Sequence, residues 1–262
     1  MDLAERNVVV TGAGRGIGAA LARSFHDRGA RVVLADLAGA PAAAEAIGGD
    51  RAVGLDADVS TEEGNRRLIE AATEAFGPID LFFANAGVGT GADLASTDEA
   101  TWDTAFAVNV HAHRWAAEHL LPGWLERGEG YFASTASAAG LLAQIGSAPY
   151  TLTKRAAVAF AEWMAITYGD RGIRVTCLCP QGVNTDMLHA GDDAVSGANV
   201  VKVAGEVLEP ADVAERVADA IEAEAFFVLP HPEVADYVRR KADDPERWLA
   251  GMRKLQRRVM GD

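Results

Sequence analysis

The chain has 262 residues, a formal charge of −14 and 49% hydrophobic side chains. That is enough apolar material for one large α/β domain with a sizeable core, or two small ones. So negative a chain is a poor partner for nucleic acid or an anionic membrane surface. No apolar run reaches the ~20 residues that span a bilayer, and the first residues run almost at once into a strand rather than a signal peptide. A cytoplasmic location is expected, with no membrane and no nucleic acid as partner.

In chain order, short β-branched runs alternate with longer helical patterns. Strands are predicted at Asn7–Thr11, Arg31–Asp36, Arg51–Leu55, Leu81–Asn85, Gly130–Ser134, Arg174–Cys179 and Phe226–Leu229. Helices are predicted between them, near 17–28, 40–47, 61–76, 98–125, 148–169 and 210–224. Ser60 and Glu63 read as a capping box, with Ser60 at the N-cap. Near-continuous apolar strands between helices imply a Rossmann-type α/β fold. The expected architecture is a doubly wound seven-stranded parallel sheet in a single domain. Residues 1–230 would form the nucleotide-binding catalytic unit, including a substrate loop near 183–208. Residues 231–262 would be a helical C-terminal extension of it.

The first strand leads into Thr11-Gly12-Ala13-Gly14-Arg15-Gly16-Ile17-Gly18. A strand, a glycine turn and a helix start together make an anion site from backbone N–H groups and the helix dipole. Gly12 permits the turn, the middle glycines admit a pyrophosphate, and Gly18 lets the helix pack closely on the sheet. Asp36 ends the second strand, where a carboxylate accepts from a ribose 2′-hydroxyl and repels a 2′-phosphate. NAD is therefore the expected cofactor and NADP the less favoured one. Arg15 is the dissenting residue, since a base in this loop can pair with a 2′-phosphate; Leu37, where a second base would help, is apolar.

Further on, Tyr150 and Lys154 lie four apart on a predicted helix, on one face. A phenol is a poor base at neutral pH, and an adjacent ammonium is expected to pull its pKa down toward the useful range. Ser137, upstream, supplies a hydroxyl to hold a substrate oxygen. Lys is scarce here, at positions 154, 202, 241 and 254 only. The chain carries a second pair of the same spacing, Tyr237 and Lys241, with no serine at the matching position. That copy reads as a solvated helix face.

Taken together, these motifs resemble the short-chain dehydrogenase/reductase family, in its classical subgroup, over almost the whole chain. Thr11 to Gly18 resembles its T-G-x-x-x-G-x-G turn, and Asp58-Val59 its adenine-binding pair. Asn85-Ala86-Gly87 resembles the end of its N-N-A-G, with Ala84 in place of the first Asn. The resemblance implies a catalytic tetrad of Asn109, Ser137, Tyr150 and Lys154. It implies that Lys154 also holds the nicotinamide ribose, with Tyr150 beside it. Asn109 would help to hold a proton-relay water chain. Pro180, Val183 and Thr185 would contact the nicotinamide amide. The implied function is NAD(H)-dependent interconversion of a secondary alcohol and its ketone. A catalytically silent NAD-binding redox sensor, or an interaction protein on the same fold, is the alternative. A homo-oligomer, tetramer or dimer, is implied, with the helix of Tyr150 pairing with its copy.

Leu141, Leu142, Ile145, Met187 and Leu188 are apolar candidates for the substrate wall, which fits an uncharged hydrophobic molecule. Gln181 either points to the substrate or caps its turn. His111 and His113 are two apart on a helix and do not face each other, so no metal is expected. Ser134 reads as structural, and Cys177 and Cys179 as buried free thiols. Phe160, Trp163 and Met164 read as helix packing or subunit interface. Residues 183–208, with Gly191-Asp192-Asp193 and Ser196 to Asn199, suit a lid or a static excursion. Trp248, Met252 and Leu255 recur at helical spacing. That stripe would pack on the lid or on a neighbouring subunit, or belong to a loose tail.

Overall fold

A computed structural model describes residues 1–90, 92–190 and 205–260. Seven parallel strands form one sheet in the order β3-β2-β1-β4-β5-β6-β7. They are β1 (Asn7–Thr11), β2 (Arg31–Asp36), β3 (Ala52–Asp56), β4 (Leu81–Ala84), β5 (Gly130–Thr135), β6 (Ile173–Leu178) and β7 (Phe227–Val228). The strand order reverses between β1 and β4, the switch point where such sheets bind ligands beyond their carboxyl ends.

Alternation along each strand sends side chains to two separate cores. Val8, Val10, Leu34, Leu81 and Phe83 pack under α1 (Gly16–Asp27), α2 (Ala40–Ile47) and α9 (Pro210–Glu222). Val9, Val33, Phe82, Phe132 and Val175 pack under α3 (Glu62–Phe76), α5 (Ala112–Arg127) and α7 (Ala148–Tyr168). Burial on both faces explains why these strands read as unbroken apolar runs rather than alternating ones.

Several expected boundaries shift. Helix α3 is capped by Thr61, whose Oγ1 accepts from Gly64 N at 3.0 Å, and not by Ser60. Ser60 instead donates its hydroxyl to Asp58 at 2.6 Å, and Glu63 is taken by Arg66 and Arg67. The single helix expected over 98–125 is broken. Helix α4 (Glu99–Phe106) runs into a π-bulge at Ala107–His111 before α5 begins. The extra residue in that turn leaves Asn109 fully buried, facing the nucleotide end. The expected lid contains the short helix α8 (Asp186–His189); its residues 191–204 lie outside the described residues. The C-terminal extension forms α10 (Glu233–Asp243) and α11 (Pro245–Met260).

Candidate active site

The nucleotide end is built at the carboxyl ends of β1, β2 and β4. Gly12 has φ +62, and a Cβ there would lie 2.8 Å from Ala86 Cα; a Cβ on Gly18 would lie 2.0 Å from the Gly12 carbonyl oxygen. The turn is therefore closed to any larger side chain at both positions. Thr11 Oγ1 accepts from Asn85 N and Ala86 N, each at 3.0 Å. Asn85 Nδ2 donates back to Thr11 O at 2.9 Å, and Asn85 Oδ1 accepts from Thr135 Oγ1 at 2.9 Å. Asn85 thus ties β1, the glycine turn and β5 together.

No side chain caps helix α1, which opens at Gly16 after the extended residue Arg15. Its first N–H groups form the anion site expected of a helix start. Asp36 stands beside it. One carboxylate oxygen accepts from Gly14 N at 2.9 Å and the other from Leu37 N at 2.7 Å. Each oxygen retains a lone pair for a ribose hydroxyl. Leu37 is 71% exposed at the rim. An uncapped helix start next to an oriented carboxylate is the donor and acceptor set that a dinucleotide requires. Arg15 does not turn toward Asp36. It reaches across to Asp186 of α8, 3.3 Å away, with both side chains exposed. Asp58 is engaged by Ser60, and Val59 is 8% exposed beneath α3.

On the other side of the switch point, Ala138 N donates to the Pro180 carbonyl at 2.9 Å. Val183 bridges to Leu208, and Thr185 Oγ1 donates to Val183 O at 3.2 Å. The Thr185 methyl approaches Gly16, 3.2 Å from where its Cβ would lie. The Gln181 N–H donates to His231 Nδ1 at 3.1 Å, and its side-chain Oε1 lies toward Gly205. Met187 lies against Gly89 across the mouth of the cleft.

Between these halves sit the remaining candidates. Ser137 caps the short helix α6 (Ala138–Leu141), its Oγ accepting from Ala139 N at 3.1 Å. The Ser137 hydroxyl donates to the Pro180 carbonyl at 3.4 Å and is close enough to the Tyr150 phenol to favour its ionised form. Lys154, 2% exposed, donates from Nζ to the Thr135 carbonyl at 3.0 Å and lies 5.7 Å from the centre of the Tyr150 ring. Asn109 is close by without touching either. Its Nδ2 donates to Val88 O at 3.0 Å and Thr153 Oγ1 at 3.1 Å, and its Oδ1 accepts from Val88 N at 2.9 Å. It fastens the loop after β4 to the catalytic helix α7.

The electrostatics correct one expectation. Burial pushes the Tyr150 phenol up, and the nearby Ser137 hydroxyl only partly opposes it. The neighbouring ammonium does not bring it down, because burial also weakens that group, pulling Lys154 down to about 8. Spacing gave the proximity of the charges but not their desolvation, and desolvation wins.

Other candidates fall where expected. His113 is 1% exposed, edge-on to Phe132, and burial pulls it down to about 3. His111 stacks near Trp115. Cys177 and Cys179 are buried and free, sulfurs 3.8 Å apart. Ser134 is fully buried in β5. Met164 and Phe160 pack on the sheet, while Trp163 is 52% exposed. Sequence reasoning did not single out Thr135 or Thr153. Both act through a carbonyl or a short hydroxyl contact that leaves no pattern in the chain. The second pair is also corrected. Lys241 is half-buried rather than freely solvated, and its Nζ donates to Leu141 O at 2.7 Å and Leu142 O at 3.3 Å. Tyr237 faces Trp248 at 6.2 Å, so α11 packs on α10 of its own chain.

Comparison with known proteins agrees with this geometry. The sequence model of the family described as short chain dehydrogenase matches residues 6–196. Cis-4-hydroxycyclohexanecarboxylate dehydrogenase of Sinomonas cyclohexanicum is 34% identical, over 86% of this chain and 93% of that one. Meso-2,3-butanediol dehydrogenase of Serratia marcescens is 32% identical, over 84% and 89%. Among solved structures, a short chain dehydrogenase/reductase from Burkholderia phymatum in complex with NAD superposes with a TM-score of 0.85. It is 29% identical and covers 94% of this chain and 96% of that one. The chain belongs to the short-chain dehydrogenase/reductase family. It is an oxidoreductase acting on CH–OH groups.

Proposed function

We propose that this protein interconverts a secondary alcohol and its ketone with NAD(H), using Ser137, Tyr150, Lys154 and Asn109. The observation that carries the reading is a buried lysine set beside a half-buried phenol. The buried Lys154 ammonium lies 5.7 Å from the centre of the Tyr150 ring, and the Ser137 hydroxyl favours the ionised phenol. In the oxidative direction Tyr150, as phenolate once the cationic cofactor is bound, would take the proton of the substrate hydroxyl. Ser137 holds the substrate oxygen and stabilises the charge developing on it. Lys154, held by the Thr135 carbonyl, keeps a positive charge behind the phenol. Asn109 is a positioning residue that fixes α7 through Thr153. Bound NAD supplies the hydride acceptor and a second positive charge.

NAD is favoured over NADP by Asp36, whose carboxylate is turned into the turn by Gly14 and Leu37. Arg15, paired with Asp186, is not positioned as a 2′-phosphate reader. The Burkholderia phymatum relative in complex with NAD supports the same choice. The cofactor contacts are those of the glycine turn (Gly12, Arg15, Gly16, Ile17, Gly18), Asp36 and Leu37, Asp58 and Val59, and Asn85 to Gly87. Pro180, Val183 and Thr185 complete them beside Tyr150 and Lys154. The substrate is an uncharged, fairly hydrophobic alcohol or ketone, bounded by Leu141, Leu142, Ile145, Met187 and Leu188. The protein works in the cytoplasm as a dimer or tetramer. The outer face of α7, where Leu152, Trp163 and Ile166 are exposed, forms its interface. Residues 1–230 are the catalytic unit and 231–262 an extension docked on it.

A panel of secondary alcohols with NAD, read by the absorbance of the reduced cofactor, tests this. Turnover of at least one hydrophobic alcohol, faster with NAD than with NADP, is the expected result. Binding of NAD without turnover of any would favour the redox-sensor reading.

A further inference from the structure

The second Tyr-x-x-x-Lys pair has no role in the chemistry above, yet its lysine is committed to the active-site side of the molecule. Helix α6 runs from Ala138 to Leu141 behind its N-cap Ser137. The last carbonyls of a helix lack partners within it, and here the Lys241 ammonium takes two, Leu141 O at 2.7 Å and Leu142 O at 3.3 Å. A cation at a helix C-terminus is favoured by hydrogen bonding and by the dipole. Among the described residues Lys241 forms no salt bridge, so these carbonyls are what hold it. The segment it grips is tight at both ends. Gly140 packs on the Lys154 backbone, where a Cβ would lie 2.4 Å from the Lys154 carbonyl oxygen. Gln144 N donates to Thr151 Oγ1 at 2.9 Å, next to Tyr150. Between them Ala143 has φ 133, a conformation a non-glycine residue keeps only when its surroundings impose it.

The same C-terminal region also reaches the other side of the cleft. His231, just before α10, accepts from Gln181 N at 3.1 Å and lies 3.2 Å from Glu206 O through Nε2. It is 2% exposed. Helix α10 therefore starts at the roots of the 183–208 loop and ends on the segment that follows Ser137.

We propose that Lys241 is a positioning and specificity residue. It clamps the Leu141–Ile145 wall of the substrate site from the C-terminal helix α10, and so sets which alcohols fit. This rests on the proposed alcohol–ketone activity of the same site. Lys241 touches neither substrate nor cofactor and acts through the main chain of Leu141 and Leu142.

The test compares Lys241→Met and Lys241→Arg with the unaltered protein. Two charge-assisted hydrogen bonds are lost in Lys241→Met, so hydrogen exchange of the 139–146 amides is expected to speed up by about tenfold. Exchange in the glycine turn, 11–18, stays unchanged. KM for the best alcohol is expected to rise by about tenfold, while kcat and NAD affinity stay within a few fold. The ranking of large against small alcohols changes with it. Lys241→Arg, which keeps a cationic donor, recovers most of both effects. Unchanged exchange in 139–146 overturns the proposal, as does an equal loss of kcat and NAD affinity in both variants. If the unaltered protein turns over no alcohol, the activity reading fails while the exchange result still decides the clamp.

Discussion

Tyr150–Lys154 and Tyr237–Lys241 share one spacing on one kind of element, and the fold uses them in different ways. The first lysine is 2% exposed, caps a carbonyl of β5, and lies 5.7 Å from the ring centre of a half-buried phenol. The second lysine is half-buried and caps the end of α6, and its tyrosine turns away to Trp248. Both ammonium groups end on backbone carbonyls. Only one of them is fully buried and lies over the ring of its own phenol. The spacing fixes which face of the helix the two groups share. What that face meets decides between proton transfer and clamping.

Removing the two phenols gives the sharpest contrast. Tyr150→Phe is expected to lower kcat by at least about 10²-fold while NAD affinity holds, because only the proton site is lost. Tyr237→Phe is expected to leave kcat within about twofold, since the removed hydroxyl has no place in proton transfer. Retention of more than about a tenth of kcat in Tyr150→Phe would erase the distinction between the pairs.

Cofactor binding separates the two regions next. Asp36→Ala should weaken NAD by about tenfold, the cost of losing a charge-assisted hydrogen bond, and narrow the preference over NADP. Titration with both nucleotides measures it. Hydrogen exchange at 139–146, the Lys241 end, should not respond. An unaltered protein that already prefers NADP would show that Arg15 governs the choice.

Burial of the first lysine also has a consequence for stability. Its folded pKa is about 8, below the ordinary 10.5, so between these values the unfolded chain binds a proton that the folded chain does not. Stability therefore rises with pH across that window, by up to about 1.4 kcal/mol per pH unit from this group. The raised phenol acts oppositely, but only above its ordinary value near 10. Denaturant midpoints at pH 8 and pH 10 for the unaltered protein and Lys154→Met test this. The variant's relative stability should fall as pH rises, and parallel curves would mean that Lys154 is not desolvated. At acid pH, His113 acts in the same sense over a lower window. It is held neutral down to about 3 against an ordinary 6.5, so stability is lost as pH falls through that range. In His113→Leu the same stability measurement should show a shallower decline below pH 6.5.

The sheet was legible because its strands are buried on both faces, and the glycine turn with Asp36 because its chemistry is local in sequence. All seven strands fall within two residues of their expected bounds. The parts not legible depend on what a residue meets across the fold. The π-bulge that buries Asn109 answers to Val88 and Thr153, which no helical period encodes. The carbonyl that holds Lys154 belongs to Thr135, and any residue type has one. Lys241 reads as solvated because α10 is charged all around it, and its partner carbonyls lie about a hundred residues away. The direction of the Tyr150 shift was missed for a related reason: a spacing shows a neighbouring charge, whereas burial is a property of the whole packed site.

The account's central claim is that burial holds the Tyr150 phenol above its ordinary value and that added positive charge, not Lys154 alone, makes it a usable base. Ultraviolet titration of tyrosinate tests this directly, taken as the difference between the unaltered protein and Tyr150→Phe, without and with saturating NAD in its oxidised form. The free protein should ionise Tyr150 above the ordinary value near 10, and the complex clearly below it. A phenol already ionised at neutral pH in the free protein, or one that NAD leaves unmoved, would contradict it.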